Sequence, residues 1–285
     1  MAPNQDKYRL TPEQHEKIFQ EEIIPDLTLG LEAVETPKAI ILGGQPGAGK
    51  SALQSIAESE LADEGGVLAI IGDELRDYHP LYWELLKKDD KTAAFYTDRD
   101  SGQWVSKFIE TAKEKHYHLI IEGTMRQFEV VRDTMKVLRE AGYYIDARVI
   151  AVNRLVSLLG TYKRYEQMVE DKGYGRFTLP EAHNAGYDGI PKTIEQVEQL
   201  KLADRISVYK RGRNTPIYEN ILENDNWSVS PNVQAIIKNE RTREWSFEEK
   251  LRYAQAWDLV VQKMKNRNVA QTDVILVQQL RNAFR

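Results

Sequence analysis

The chain has 285 residues, 41% hydrophobic and 29% charged, with a formal net charge of -5 and no cysteine. Its length allows one large α/β domain with an appendage, or two domains, and its acidic balance argues against a nucleic-acid partner. Lack of cysteine excludes a disulfide framework, thiolate zinc sites and cysteine nucleophiles, and the polar opening and missing long apolar run predict no membrane partner and a cytoplasmic location.

In chain order, Thr11-Pro12-Glu13-Gln14 reads as a capping box opening a helix that buries Ile18, Phe19 and Ile23, with Pro25 and Gly30 as punctuation. Ala39-Ile40-Ile41-Leu42 is a first buried strand. A helix over 52–61 and a strand at Val67–Ile71 follow, the latter ending on Gly72-Asp73-Glu74. The charge run at 87–91 is a solvated helix face or loop. A helix over 101–115 carries Trp104, Val105, Phe108 and Ile109 inward, and Leu119-Ile120-Ile121 is a third strand ending at Glu122-Gly123-Thr124. Helix 130–141, strand 144–152 and helix 153–170 come next, then a glycine-rich loop or lid at 171–177, a helix over 194–201 and a strand over 205–209. Pro216–Glu219 pairs with that strand across a turn at 212–214. Val233 to Arg285 reads as two or three amphipathic helices with Phe247, Leu251, Trp257, Val260, Val261 and Met264 on their apolar side.

The alternation from residue 38 to about 210 predicts an α/β fold: a doubly wound, mostly parallel sheet with ligands at the carboxyl ends of the strands. The expected organisation is an N-terminal helical segment (1–36), an α/β core (37–227) and a C-terminal helical extension (228–285), joined through a linker near Ser228–Asn232.

Gly44-Gln45-Pro46-Gly47-Ala48-Gly49-Lys50-Ser51 matches G-x-x-x-x-G-K-[ST] between a strand and a helix, the context of a P-loop. Backbone N–H groups at a helix N-terminus hold phosphate oxygens, Lys50 reaches the β- and γ-phosphates, and Ser51 ligates Mg²⁺; ATP and Mg²⁺ are the expected cofactors. Asp73 is either a carboxylate of the magnesium shell or acceptor side, or an N-cap of the next helix. Glu122 is either a metal-shell acid or a partner of Arg126. Arg164 and Arg176 flank the glycine-rich segment, where guanidinium groups meet the charge of a transferring phosphoryl group, although surface arginines are common. His79 and His183 read as packing or hydrogen-bonding residues, and Tyr82, Trp83 and Trp104 as core rather than base-stacking platforms.

Four blocks in order, Leu42-Gly43-Gly44-Gln45-Pro46-Gly47-Ala48-Gly49-Lys50-Ser51, Gly72-Asp73-Glu74-Leu75-Arg76-Asp77-Tyr78-His79-Pro80, Ile121-Glu122-Gly123-Thr124-Met125-Arg126 and Tyr162-Lys163-Arg164-Tyr165-Glu166, resemble the zeta toxin family over roughly residues 35 to 220. The resemblance implies a kinase that transfers the ATP γ-phosphate to a hydroxyl of the amino sugar in UDP-N-acetylglucosamine, blocking peptidoglycan precursor synthesis, with a small helical antitoxin as inhibitor. On matching positions it implies that Lys50 and Ser51 serve ATP and Mg²⁺ and that Asp73 is the base. Glu122, Thr124 and Arg126 would line the sugar-nucleotide and metal side, with Arg164 and Arg176 on the transferring phosphoryl. One position departs from the pattern: the family has an acidic residue in the helix before the Glu-Gly-Thr strand, and Ser106, beside Lys107, falls there. The residues alone also admit a kinase for another metabolite or a nucleic-acid end, and a nucleotide-dependent switch module. The role of 233–285 stays open between packing, an antitoxin surface and obstruction of the cleft.

Overall fold

The computed structural model describes residues 4–284. Helix α1 (Pro12–Ile18) begins with the expected capping box, Thr11 and Gln14 each bonding the other's backbone N–H. Pro25 does not end this helix, although it lacks an N–H and crowds the preceding turn. A wider π-turn over Phe19–Ile23 intervenes, and α2 (Ile24–Thr28) continues beyond it until Gly30 at φ 77°. Phe19 and Ile23 are buried, Ile18 only partly.

The core alternates strand and helix: β1 (Lys38–Gly43), α3 (Lys50–Leu61), β2 (Val67–Ile71), then α4 (Gly72–Leu75), α5 (Tyr82–Lys88), α6 (Ala93–Lys115) and β3 (His118–Gly123). It continues with α7 (Phe128–Glu140), β4 (Tyr144–Ala151), α8 (Arg154–Lys172), α9 (Pro180–Gln199), β5 (Arg205–Lys210), β6 (Pro216–Glu223) and the short β7 (Asn226–Trp227). Sheet order is β2-β3-β1-β4-β5-β6-β7; the first five strands are parallel and the last two antiparallel. The expected doubly wound, mostly parallel sheet is therefore what the chain forms. Its strands read as continuous apolar runs because helices cover both faces. Residues of β1 alternate between two apolar clusters, Ala39 and Ile41 in one, Ile40 and Leu42 in the other. Each fully buried Leu or Ile side chain contributes roughly 1.5–3 kcal/mol to such a core.

Two elements are longer than the sequence indicates. Helix α6 starts at Ala93 rather than 101, and α9 runs from Pro180 rather than 194. Gly186, Gly189 and Pro191 disguise α9, since all three residues disfavour helix interiors. A Cβ on Gly189 would lie 2.5 Å from the Arg126 carbonyl oxygen, so the glycine lets α9 press against the turn after β3.

Beyond β7, α10 (Val233–Thr242), α11 (Phe247–Asn266) and α12 (Gln271–Asn282) pack onto the core. Val233 and Ile237 join the apolar cluster that holds Ile41. Trp257, Val260, Val261, Met264, Val274 and Val277 join the one that holds Ile40 and Leu42. Phe247 and Leu251, expected on the apolar face of the extension, are instead exposed. Among the described residues no helix is long and apolar enough to cross a membrane.

Candidate active site

Parallel pairing fixes the geometry of the cleft before any side chain is considered. In the sheet register, Leu42 of β1 and Ile71 of β2 both pair with Glu122 of β3, so the P-loop, Asp73 and Glu122 emerge side by side at one sheet edge. Residues far apart in sequence meet there because ligand-facing loops of this architecture leave the carboxyl ends of the strands.

The P-loop runs from Gly44 to Ser51 and enters α3 with Gly49 at φ 100° as its N-cap. Gly47, at φ 74°, faces α8 so closely that a Cβ would lie 2.1 Å from the Ser157 carbonyl oxygen. No other residue fits that position. Ala48 is fully buried and half-buried Pro46 lies beside Gly186 of α9. Gln45 is fully buried; its amide donates to the Val152 carbonyl (3.3 Å) and the Ser157 hydroxyl (3.1 Å), and its carbonyl accepts from Arg241 (3.1 Å). Lys50 Nζ donates to the Gly44 carbonyl at 2.9 Å and lies 3.5 Å from Glu122 Oε1. Ser51 is exposed on the first turn of α3.

Asp73 lies inside the short helix α4, whose N-cap is Ile71, so it does not act as the cap. Its side chain keeps 60% of its surface exposed, with protein gathered around it beyond its immediate contacts. That enclosure pushes its pKa up, but the guanidinium groups of Arg76, Arg164 and Arg176 outweigh it and hold the carboxyl below the ordinary aspartate value. Asp73 is therefore ionised at neutral pH. Arg76 Nε lies 3.4 Å from Asp73 Oδ1, and its other nitrogens donate to the Ala94 carbonyl (2.7 Å), Thr97 (3.1 Å) and Asp98 (2.8 Å). Arg164 donates to the Thr178 hydroxyl at 3.2 Å, while Arg176 pairs with Asp77 and lies over the rings of Tyr82 (5.5 Å) and Trp83 (5.9 Å). The loop at 173–179 thus reaches back to the end of β2.

Glu122 pairs with Lys50 and not with Arg126, the alternative its sequence position left open. Enclosure, followed by the charge of Glu122, raises the pKa of Glu74. Thr124 is half-buried and Arg126 exposed, on the turn where Met125 takes φ 47°. Among the described residues no group of three or more His, Asp or Glu side chains makes a ready metal cage. A magnesium ion carried on nucleotide phosphates needs only one or two protein ligands, and the hydroxyl of Ser51 with the carboxylate of Glu122 fits that requirement.

The remaining candidates are structural. His79 Nε2 lies 3.1 Å from the Tyr8 carbonyl and 3.4 Å from buried Asp100, and His183 Nε2 lies 2.8 Å from the Ser157 hydroxyl. Tyr82 and Trp104 are buried. Ser106 is exposed and donates back to the Gly102 carbonyl at 3.2 Å, while Lys107 turns to His15 and Glu16 of α1. The acid of α6 that reaches the Asp73 neighbourhood is Asp98, through Arg76. Sequence reasoning missed Arg76, Asp98 and Arg241. Spacing within one helical turn links Arg76 to Asp73, but nothing local announces Arg241, 196 residues from its partner Gln45.

A family model described as Zeta toxin matches residues 24–223. The chain belongs to the zeta toxin family. It is 33% identical over 189 residues to Toxin PezT of Streptococcus pneumoniae serotype 4, covering 66% of this chain and 74% of that one. To Toxin zeta of Streptococcus agalactiae it is 34% identical over 200 residues, covering 69% of each. Among solved structures, one from the PezAT chromosomal toxin–antitoxin system of S. pneumoniae superposes with a TM-score of 0.73 at 25% identity, over 91% of this chain and 98% of the other. A complex of AvrRxo1-ORF1 with AvrRxo1-ORF2 and ATP shares the fold with a TM-score of 0.53 at 12% identity, over 95% and 83% of the two chains. This zeta toxin family member thus carries its P-loop, Asp73 and Glu122 on a kinase-like α/β fold.

Proposed function

We propose that the protein is an ATP-dependent kinase that phosphorylates a sugar hydroxyl of UDP-N-acetylglucosamine or a related UDP-amino sugar, and that a small helical antitoxin restrains it. The observation that carries the reading is the placement of an ionised Asp73 at the end of β2, open to the cleft and faced by Arg164 and Arg176. A module that only binds nucleotide has no need of a carboxylate on the acceptor side, whereas a kinase does.

In this reading the P-loop amides and Lys50 hold the phosphates of ATP, and Lys50 turns from Gly44 toward them. Ser51 and Glu122 would hold magnesium, which would neutralise phosphate charge when bound. Asp73 accepts the proton of the attacking hydroxyl. Because the transition state of phosphoryl transfer is loose, that proton moves late, and a base of low pKa serves. Arg164 and Arg176 stabilise the charge on the transferring phosphoryl group, and Thr124 and Arg126 line the acceptor side. The sugar nucleotide and the antitoxin rest on family membership and on the toxin–antitoxin description of the S. pneumoniae structure.

The test is incubation with γ-labelled ATP and a panel of UDP-sugars, with separation of the labelled products. Label on a UDP-amino sugar is the expected result. Label on none of the panel, from protein that binds ATP, overturns the acceptor assignment.

A further inference from the structure

Of the block Tyr162-Lys163-Arg164-Tyr165-Glu166, the proposed reaction uses Arg164 alone. Its two neighbours are both engaged in long-range contacts. Half-buried Tyr165 donates its hydroxyl to Asp90 Oδ2 at 2.5 Å, and Arg267, which caps the C-terminus of α11, lies 5.3 Å over its ring. Arg267 also holds the buried Glu166 by two bonds of 2.8 Å. Burial and the Asp90 carboxylate push the Tyr165 phenol up, so the hydroxyl stays protonated and remains the donor.

The same residue touches the loop that carries Arg176. The Phe177 ring meets Tyr165 edge-on at 5.2 Å, and a Cβ on Gly175 would lie 2.9 Å from the Tyr165 carbonyl oxygen. On its other side the loop rests on α5, with Tyr174 6.1 Å from Trp83 and Arg176 over the rings of Tyr82 and Trp83. Asp90 lies two residues past the end of α5, so the hydroxyl bond ties α8 to α5 across the loop. Helix α5 does not share the main core: Tyr82, Leu85, Leu86 and Ala93 form a small apolar cluster apart from the two that flank the sheet. Segments with few buried apolar contacts open at low free-energy cost, and a single bond to a carboxylate then weighs heavily in keeping this one closed.

Resting on the reading of the protein as a kinase, we infer that Tyr165 is a positioning residue, whose hydroxyl bond to Asp90 fastens the loop that holds Arg176 over the end of β2.

The experiment compares the full-length parent with Tyr165→Phe, Asp90→Ala, Arg176→Ala and the double variant Tyr165→Phe/Arg176→Ala, melting curves confirming that each folds. Phenylalanine keeps the ring and removes the hydroxyl alone. Tryptic cleavage after Lys172 or Arg176 should be about fivefold or more faster in Tyr165→Phe and Asp90→Ala than in the parent. With a UDP-sugar acceptor both should lose roughly 10- to 100-fold in kcat while ATP affinity stays within about twofold. Their acid limb should move to higher pH, because a displaced Arg176 no longer holds the Asp73 pKa down while Arg76 and Arg164 stay in place. The double variant should turn over no more slowly than Arg176→Ala, since both changes remove the same interaction. Cleavage at the parent's rate overturns the inference. So does faster cleavage with kcat and the acid limb unmoved, or losses that simply add in the double variant. A parent that phosphorylates no UDP-sugar overturns the proposed reaction instead, and cleavage alone then decides whether Tyr165 fastens the loop.

Discussion

The two sides of the cleft are held by opposite means. Over β2 and β3 the groups are charged and reachable from solvent: Asp73, Asp77, Arg164 and Arg176 set one another's electrostatics across a loop. Under the P-loop the supports are buried and mostly neutral. Gln45 bonds Val152 and Ser157, His183 bonds Ser157, and Arg241 spans from Gln45 to the Tyr187 carbonyl at 2.6 Å while its ring-facing side lies 4.1 Å from Tyr187. Burial lowers the pKa of Arg241 to about 10, still charged at neutral pH. Substitutions on the first side should change chemistry and spare the fold. On the second they should cost stability first.

The largest effect expected is from Asp73→Asn, which removes the proposed base and should lower kcat by roughly 10²–10⁴ with little change in Tm. Next, Arg176→Ala and Arg164→Ala should each cost on the order of 10²-fold in kcat, as loss of a donor to transition-state charge does. Arg176→Ala also carries a pH signature. Its charge holds the Asp73 pKa down, so removing it raises that pKa, and the acid limb of the kcat/KM profile should move to higher pH. An unmoved limb would separate Arg176 from Asp73. Arg76 acts at one remove, fixed by Asp98, Thr97 and Ala94, and Arg76→Gln should lower kcat by up to about 10² while ATP affinity holds. On the buried side, Arg241→Met leaves the Gln45 carbonyl and the Tyr187 carbonyl without their donor. The expected cost is about 1–3 kcal/mol of stability, read by denaturant unfolding. A loss of activity at full stability would contradict the contrast between the sides.

Much of the charged side was legible in the sequence. Asp73, Glu122 and the P-loop each end an apolar strand, and strand ends are where a doubly wound sheet binds ligands. Whether Asp73 was a cap or a cleft residue was decided by α4, a helix too short to leave a periodic signal. The buried side was largely hidden. Gln45 reads as a loop position within a motif, and His183, Gly186 and Gly189 lie in a helix whose glycines and proline mask its period. Arg241 looks like any charged residue of an amphipathic helix until α10 docks beside the P-loop. Phe247 and Leu251 fail in the reverse sense, as apolar residues on the first turns of α11 that meet solvent.

The central claim is that Asp73 serves the acceptor and the P-loop the donor. Measuring ATP affinity and UDP-N-acetylglucosamine phosphorylation side by side in the parent and Asp73→Asn tests it most directly. The account predicts equal ATP affinity in both proteins, phosphorylated sugar nucleotide from the parent, and its near-complete loss from the variant. A variant that phosphorylates the sugar nucleotide at the parent's rate would contradict it.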